Sequence, residues 1–412
     1  MTSFRFLHAA DLHLGSPFQG LAVKDPEIAA RFAEATRKAF ANLVARAIEE
    51  RVAFVVIAGD VYDGEWKDNT VGLFFNREVA RLDREGIPLF LLRGNHDADS
   101  VVTRSITLPP SVSQFETRRP TTFRIEHLKV ALHGQGFAER AATENLSLGY
   151  PPPVAGHFNI GVLHTSLTGR PPHANYAPCG IEDLKGRGYD YWALGHVHEH
   201  EIVCTDPHVV FPGNLQGRSI RETGAKGAVI VSVEEGRVTS LEHAALDEAR
   251  WALAEVDVAG AEDLSGLLGQ VERALAPVAA EAEGRLLALR LRLTGETPMR
   301  RHLVANRASV GDEIQAACHR LHPDIWLEKL DMRLADPAGP RAPAADPALD
   351  LAAILEGLAS DPEMIARARS VIAEVAGKLP AGLGALDAPL GDDAETLLAE
   401  ARDVLLERAG GA

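Results

Sequence analysis

Short apolar runs that stop at glycine or aspartate dominate the first part of this chain. Residues 4–10, Phe4-Arg5-Phe6-Leu7-His8-Ala9-Ala10, and 53–58, Ala53-Phe54-Val55-Val56-Ile57-Ala58, end at Asp11 and at Gly59-Asp60, as buried strands running into loops do. Between them Ile28, Phe32, Ala35, Ala39, Leu43, Val44, Ala47 and Ile48 recur at helical spacing, with acids early and arginine late, which predicts a helix over 26–51. A predicted helix over 69–85 and a strand over 88–92 repeat the unit and lead into Gly94-Asn95-His96-Asp97. Beyond residue 115 the pattern turns to strands, at 121–125, 129–133, 159–163, 191–194, 209–212 and 228–233. The expectation is an α/β (α+β) fold, a mixed sheet or two-sheet sandwich flanked by helices, with ligands in loops at the C-terminal ends of strands.

From Trp251 the pattern changes. Alternation over 252–258 and 286–293 around a helical stretch at 261–283 predicts a small α/β domain over 249–335, following a first domain over 1–248. Residues 336–348, rich in proline and alanine, read as a semi-rigid linker. Residues 349–412 read as helical, with Ser360 as an N-cap before Asp361-Pro362-Glu363 and Asp392 or Asp393 before the last helix. The apolar residues of this tail, among them Ile354, Leu355, Leu358, Val404 and Leu405, pack on one another or on a partner helix.

Composition adds limits. The 412 residues are 46% hydrophobic and 24% charged, ordinary for a globular protein. There is no apolar run of about 18 residues and no basic-then-apolar leader, so the expected location is cytoplasmic, away from membranes. Cys179, Cys204 and Cys318 lack the paired spacing of a zinc knuckle or disulfide framework. The net charge of −16 runs against nucleic acid, because phosphates are contacted by lysine and arginine. Half of that excess lies in 336–412, however, and bound metal would neutralise carboxylates of the first domain.

The chemistry sits where the apolar runs stop. Asp11-Leu12-His13, Gly59-Asp60, Gly94-Asn95-His96-Asp97, Gly161-Val162-Leu163-His164 and Gly195-His196-Val197-His198 supply carboxylate, amide and imidazole groups. That set suits manganese, iron or zinc. Asp11 and His13, like His196 and His198, are two residues apart and share a side on extended backbone. Two divalent ions held by such groups polarise a phosphoryl group and stabilise attacking and leaving oxygens of an in-line displacement. The predicted first ion takes Asp11, His13, Asp60 and His198, and the second takes Asp60, Asn95, His164 and His196. His96, next to a ligand yet able to donate, is the candidate acid for the leaving oxygen, with Asp97 orienting or charging it. The alternative for His96 is a structural loop histidine. Asn214, Gln216, Arg218 and Arg221 either contact substrate phosphate or form a solvated turn. Arg300-Arg301-His302 with Arg307 either tracks a DNA backbone or is solvated surface.

These islands, together with Asp63 after Gly59-Asp60, resemble in order and spacing the calcineurin-like metallophosphoesterase superfamily over residues 1–245. His8-Ala9-Ala10-Asp11-Leu12-His13-Leu14-Gly15, Gly59-Asp60-Val61-Tyr62-Asp63 and Phe211-Pro212-Gly213-Asn214-Leu215-Gln216-Gly217-Arg218 are similar to the SbcD-type DNA repair nucleases, most closely their YhaO-like branch. The resemblance implies a manganese-dependent nuclease acting on DNA, with a small capping domain over 249–335. It implies that the tail docks on an SMC-like (SbcC-type) ATPase, and that a homodimer forms through helices around 69–85 and 98–108. Asp63 stands where some related nucleases carry histidine, which puts a direct catalytic role there in doubt. Three functional readings follow: a DNA exonuclease with single-strand endonuclease activity, a phosphoesterase of small substrates, and a metal-bound scaffold for the ATPase.

Overall fold

The computed structural model describes residues 3–16, 26–63, 70–99, 107–139, 142–167, 176–337, 351–378 and 394–410. Strands β1 (Phe4–Ala9), β2 (Phe54–Ala58) and β3 (Leu89–Leu92) arise from the first apolar runs, separated by helices α1 (Pro26–Glu49) and α2 (Thr70–Arg84), with a short α3 (Asn95–Asp99) after β3. They are apolar almost throughout because both faces are covered. β4 (Val112–Gln114), β5 (Thr121–Ile125), β6 (Val130–Gly134), β7 (Phe158–His164), helix α4 (Ile181–Lys185), β8 (Tyr191–Gly195), β9 (His200–Thr205), β10 (His208–Pro212), β11 (Gly227–Glu234) and β12 (Arg237–Ala245) follow.

Two six-stranded sheets result, in the orders β12-β11-β1-β2-β3-β4 and β5-β6-β7-β8-β10-β9. β1, β2, β3 and β4 run parallel in the first, with β11 antiparallel to β1, and β6, β7, β8 and β10 run parallel in the second, with antiparallel β5 and β9 at its edges. The core between the sheets is aromatic. Phe6 stacks on Phe54 with ring centroids 4.9 Å apart, and Tyr191 meets Phe6 edge-on at 5.3 Å, geometries that add to the burial term. The outer face of the first sheet is covered by α1 and α2 through Phe40, Leu43, Phe75 and Val79.

β9 and β12 were not foreseen. They are edge strands whose burial alternates or fails, so neither carries the continuous apolar run that marks a central strand.

The first compact unit ends at Arg250 and the second begins at Trp251. In the second, β13 (Ala249–Asp257), β14 (Leu286–Glu296) and β15 (Ile325–Ala335) form a sheet with helices α5 (Leu264–Glu281), α6 (Arg300–Ala305) and α7 (Arg307–Leu321). The tail forms α8 (Leu351–Ala359), α9 (Pro362–Lys378) and α10 (Ala394–Gly410). Asp361, not Ser360, caps α9: its Oδ1 accepts from the Glu363 N–H at 2.8 Å, and Pro362 takes the first helical position, where a missing N–H costs nothing. The anticipated linker lies, from residue 338, outside the described residues, as do residues 100–106 of the expected dimer segment. Arg300 pairs with the buried Asp403 of α10 and with Asp336 at 3.4 Å, and Arg307 reaches Glu400 at 3.5 Å. These two arginines pair with carboxylates of the tail within their own unit, a structural role that neither alternative for this basic cluster named.

Phe54→Ala is expected to lower the stability of the first unit by about 3–5 kcal/mol, through lost burial and the cavity left between the sheets. Leu148→Ser, at a position 57% exposed, changes it by less than about 0.5 kcal/mol. Urea unfolding followed by tryptophan fluorescence measures both, and equal effects contradict the packing described.

Candidate metal centre

The parallel strands of both sheets deliver their C-terminal ends to one place. Asp11 and His13 follow β1, Asp60 follows β2, Asn95 and His96 follow β3, His164 ends β7, and His196 and His198 follow β8. The first two loops continue side by side past their strands, with Asp11 N–H donating to Gly59 O and His13 N–H to Asp60 O, both at 3.0 Å. Asp11, His13, Asp60 and His196 all have positive φ, from 43° to 99°. Such conformations are uncommon outside glycine and concentrate at functional sites. The motif glycines are there for space: a Cβ on Gly94 would lie 2.2 Å from Asp60 Oδ1, and one on Gly59 2.4 Å from His164 Nδ1.

Three groupings have ligand atoms within 4.8 Å of one another: Asp11 with His13 and His198, His13 with Asp60 and His96, and Asp11 with Asp60 and His164. Asp60 is the carboxylate expected to be shared, and Asp11 reaches both sides as well. Asn95 joins through its Oδ1, 2.9 Å from His164 Nε2, and the rings of His164 and His196 lie 5.2 Å apart.

Hydrogen bonding fixes which ring nitrogens face inward. His164 Nδ1 donates to the Ala58 carbonyl at 2.9 Å, so Nε2 points at Asn95 Oδ1 and at Asp60 Oδ2, 3.4 Å away, and offers a lone pair there once its proton is displaced. His198 Nδ1 donates to Glu222 Oε1 at 2.7 Å, which turns its Nε2 toward His13 Nε2 at 3.2 Å and Asp11 Oδ1 at 3.8 Å. Asp11 Oδ1 is buried and has no hydrogen-bond partner among the described residues. Facing acceptors with no proton between them are what a divalent cation satisfies, so the donor set fits one.

The charges agree. Burial pushes the Asp11 carboxyl up, with His198 and His164 offsetting only part of this. Burial alone would raise Asp60 too, but His164 and His96 outweigh it and hold it well below the usual carboxylate range. Burial works against charge on His164, yet Asp60 and Asp11 push its pKa up to about 9, so without a cation a proton on Nε2 stands where the ion would, and metal binding would displace it. His13, desolvated and facing Arg218, is held well below the usual imidazole range, which leaves it a neutral ligand.

His96 is 30% exposed at its side chain, and its Nδ1 lies 2.9 Å from Asp63 Oδ1. That hydrogen bond raises its pKa against the effect of burial. The partner expected for it was Asp97, and this is corrected. Asp97 accepts from the backbone N–H groups of Gly94, Val61 and Tyr62 at 3.0 Å each, and therefore shapes the loops after β2 and β3. Burial and Asp60 push its pKa up to about 6.

Two candidate substrate contacts face inward. Gln216 is 1% exposed, donates to the Gly217 and Ala249 carbonyls and accepts from Glu248 N–H. Asn214 is fully buried and donates to the Gln216 carbonyl. Both side chains are buried away from solvent, Gln216 bonded to the backbone of its own loop and of residues 248 and 249, which argues against either as a substrate contact. Arg218 binds Asp63 and Glu222. Glu222 itself was missed: its bond to His198 depends on how the loop after β10 folds, and no spacing in the sequence marks it. His8, on β1, is fully buried between the Tyr191 hydroxyl and the Leu194 carbonyl, each at 3.0 Å.

Residues 4–200 match the family described as calcineurin-like phosphoesterase, and residues 251–335 match the middle domain of metallophosphoesterase YhaO. The chain is 34% identical over 302 residues to the uncharacterized metallophosphoesterase YhaO of Bacillus subtilis, covering 72% of this chain and 73% of that protein. It is 25% identical over 212 residues to the DNA double-strand break repair protein Mre11 of Sulfurisphaera tokodaii, covering 50% of this chain and 52% of that protein. With the protein of the same name from Methanopyrus kandleri it shares 25% identity over 288 residues, covering 62% and 60%. The phosphoesterase match spans every strand end that carries a ligand, and with the YhaO homologue aligned over nearly three quarters of its length, the chain belongs to the calcineurin-like metallophosphoesterase family.

Proposed function

We propose that this chain is a two-metal phosphodiesterase that hydrolyses DNA in repair, as a manganese-dependent 3′ to 5′ exonuclease with single-strand endonuclease activity. The observation that carries the reading is the set of three overlapping ligand groupings, linked through Asp11, His13 and Asp60, in which His96 is partly exposed. Asp11, His13, Asp60 and His198 hold one ion, and Asp60, Asn95, His164 and His196 the other, with Asp11 bordering both. When bound, the ions polarise the phosphoryl oxygens and activate the attacking water. The remaining work belongs to the chain. His96, its Nδ1 committed to Asp63, holds a proton on Nε2 and delivers it to the leaving oxygen. Asp97 keeps the loop carrying Asn95 and His96 in place through its three backbone bonds. DNA as substrate is supported by the similarity to two proteins of DNA double-strand break repair.

The partner in this reading is an SMC-like ATPase docked on the tail. Ile354, Leu358, Val371 and Val375 of α8 and α9 are 41–54% exposed, an apolar surface of the kind that a partner helix covers. Among the described residues no helix is long and apolar enough to cross a membrane.

Purified chain with manganese is expected to cut linear duplex DNA from its 3′ ends, to nick single-stranded oligonucleotides and to cleave bis-p-nitrophenyl phosphate. Asn95→Ala lowers all three by more than about 100-fold, since removing even an outer partner of a metal ligand costs 10–100-fold. Cleavage of the small ester alone points instead to a small-molecule phosphoesterase, which the net charge of −16 favours, and no metal-dependent cleavage points to a scaffold. His96→Asn is expected to cut kcat by about 100-fold or more at saturating manganese with KM little changed. A changed KM with intact kcat contradicts a proton-donor role. Val371→Asp with Val375→Asp is expected to abolish co-purification of the ATPase, and unchanged recovery removes the docking claim.

A further inference from the structure

Arg218 sits at the junction of two histidine–carboxylate pairs. Its Nη1 donates to Asp63 Oδ2 at 3.1 Å and to Ser16 Oγ at 3.4 Å. Its Nη2 donates to Glu222 Oε1 at 3.0 Å, and its backbone N–H donates to Glu222 Oε2 at 2.7 Å. Asp63 in turn holds His96 Nδ1 at 2.9 Å, and Glu222 holds His198 Nδ1 at 2.7 Å. The five side chains therefore form one connected path, His96–Asp63–Arg218–Glu222–His198, with a single guanidinium at its middle. The Arg218 side chain is only 15% exposed and that of Glu222 11%, so the pairs are largely withdrawn from water and the hydrogen bonds are charge-assisted.

We infer that Arg218 is a positioning residue: it locks the carboxylates that set the ring orientation of His198, a metal ligand, and of His96, the proton donor, and does not itself contact substrate phosphate. This rests on the two-metal reading above and replaces the expectation that Arg218 binds substrate. The planar fork is what the role requires, because it meets two carboxylates at once, whereas an ammonium is a point charge on a flexible stem. Without the guanidinium, Asp63 and Glu222 repel each other and are free to turn. The imidazoles then lose the hydrogen bonds that fix which nitrogen faces the site. Glu222 reports the same balance: burial would raise its carboxyl, but Arg218 and His198 outweigh burial and hold it far below the usual range.

The test compares full-length wild type with Arg218→Met and Arg218→Lys by three readouts. The first is nitrogen-15 NMR of the histidine rings in chelator-treated protein, with the His96 and His198 signals assigned from His96→Asn and His198→Asn. The second is manganese affinity by calorimetry, and the third is kcat and KM on bis-p-nitrophenyl phosphate at saturating manganese. In Arg218→Met the Nδ1–H signals of both histidines are expected to broaden or disappear, manganese affinity to fall by about 10–100-fold, and kcat to fall with KM held. Arg218→Lys, which keeps the charge and supplies a second variant should Arg218→Met not fold, is expected to fail to restore both signals. Intact Nδ1–H signals with unchanged manganese affinity and a raised KM overturn the inference and return Arg218 to the substrate. If wild type binds no manganese, the two-metal reading fails, while the NMR comparison still decides whether Arg218 orients the two rings.

Discussion

Two carboxylates, Asp11 and Asp60, are held about 1% exposed within a shell of imidazoles, and the rest of the first unit is organised around that concentration of buried charge. An ionised carboxylate out of water is tolerated only when paired or bound to a cation. One oxygen of each is satisfied by the backbone, Asp11 Oδ2 by His196 N–H at 2.8 Å and Asp60 Oδ1 by His96 N–H at 2.9 Å. The other oxygens face histidine nitrogens whose protons are committed elsewhere, to the Ala58 carbonyl and to Glu222. Left-handed backbone at Asp11, His13, Asp60 and His196 is strain that the strands beneath must offset. They do so with the aromatic core between the sheets, which fixes five strand ends relative to one another.

Much of this was legible in the sequence because the strands that build the site are central ones. Their apolar runs are nearly uninterrupted, so the ligands stood out as polar residues at or just past the end of a run, and the motif glycines marked where backbone passes close to Asp60 and His164. What escaped notice depends on loops meeting across the fold. Asp97 looked like the partner of His96 because it is adjacent, but consecutive residues in a helical turn point apart, and Asp63, 33 positions earlier, occupies that place. Gln216 looked like a polar group on a loop, yet it lies under the loop and binds backbone. Glu222 is four residues beyond Arg218 on a segment of turns, and only folding shows that it faces His198.

The second unit illustrates the same limit for charge. A run of three basic residues at 300–302 invites a nucleic-acid reading, but Arg300 is consumed by the buried Asp403 of α10 and Arg307 by Glu400. Half of the net negative charge lies in the tail, and part of it is structural, placed to meet those arginines. Ile354, Leu358, Val371 and Val375 of α8 and α9 remain exposed, so the tail both secures its own unit through Asp403 and Glu400 and presents apolar surface.

The claim on which the account rests is that these side chains hold a pair of ions, not one. Electron paramagnetic resonance of the full chain titrated with manganese measures this directly. The account predicts two ions bound per chain and, at saturation, the spectrum of a spin-coupled pair that Asp60→Asn abolishes. A single uncoupled ion, or a coupled spectrum unaffected by loss of the Asp60 carboxylate, contradicts it.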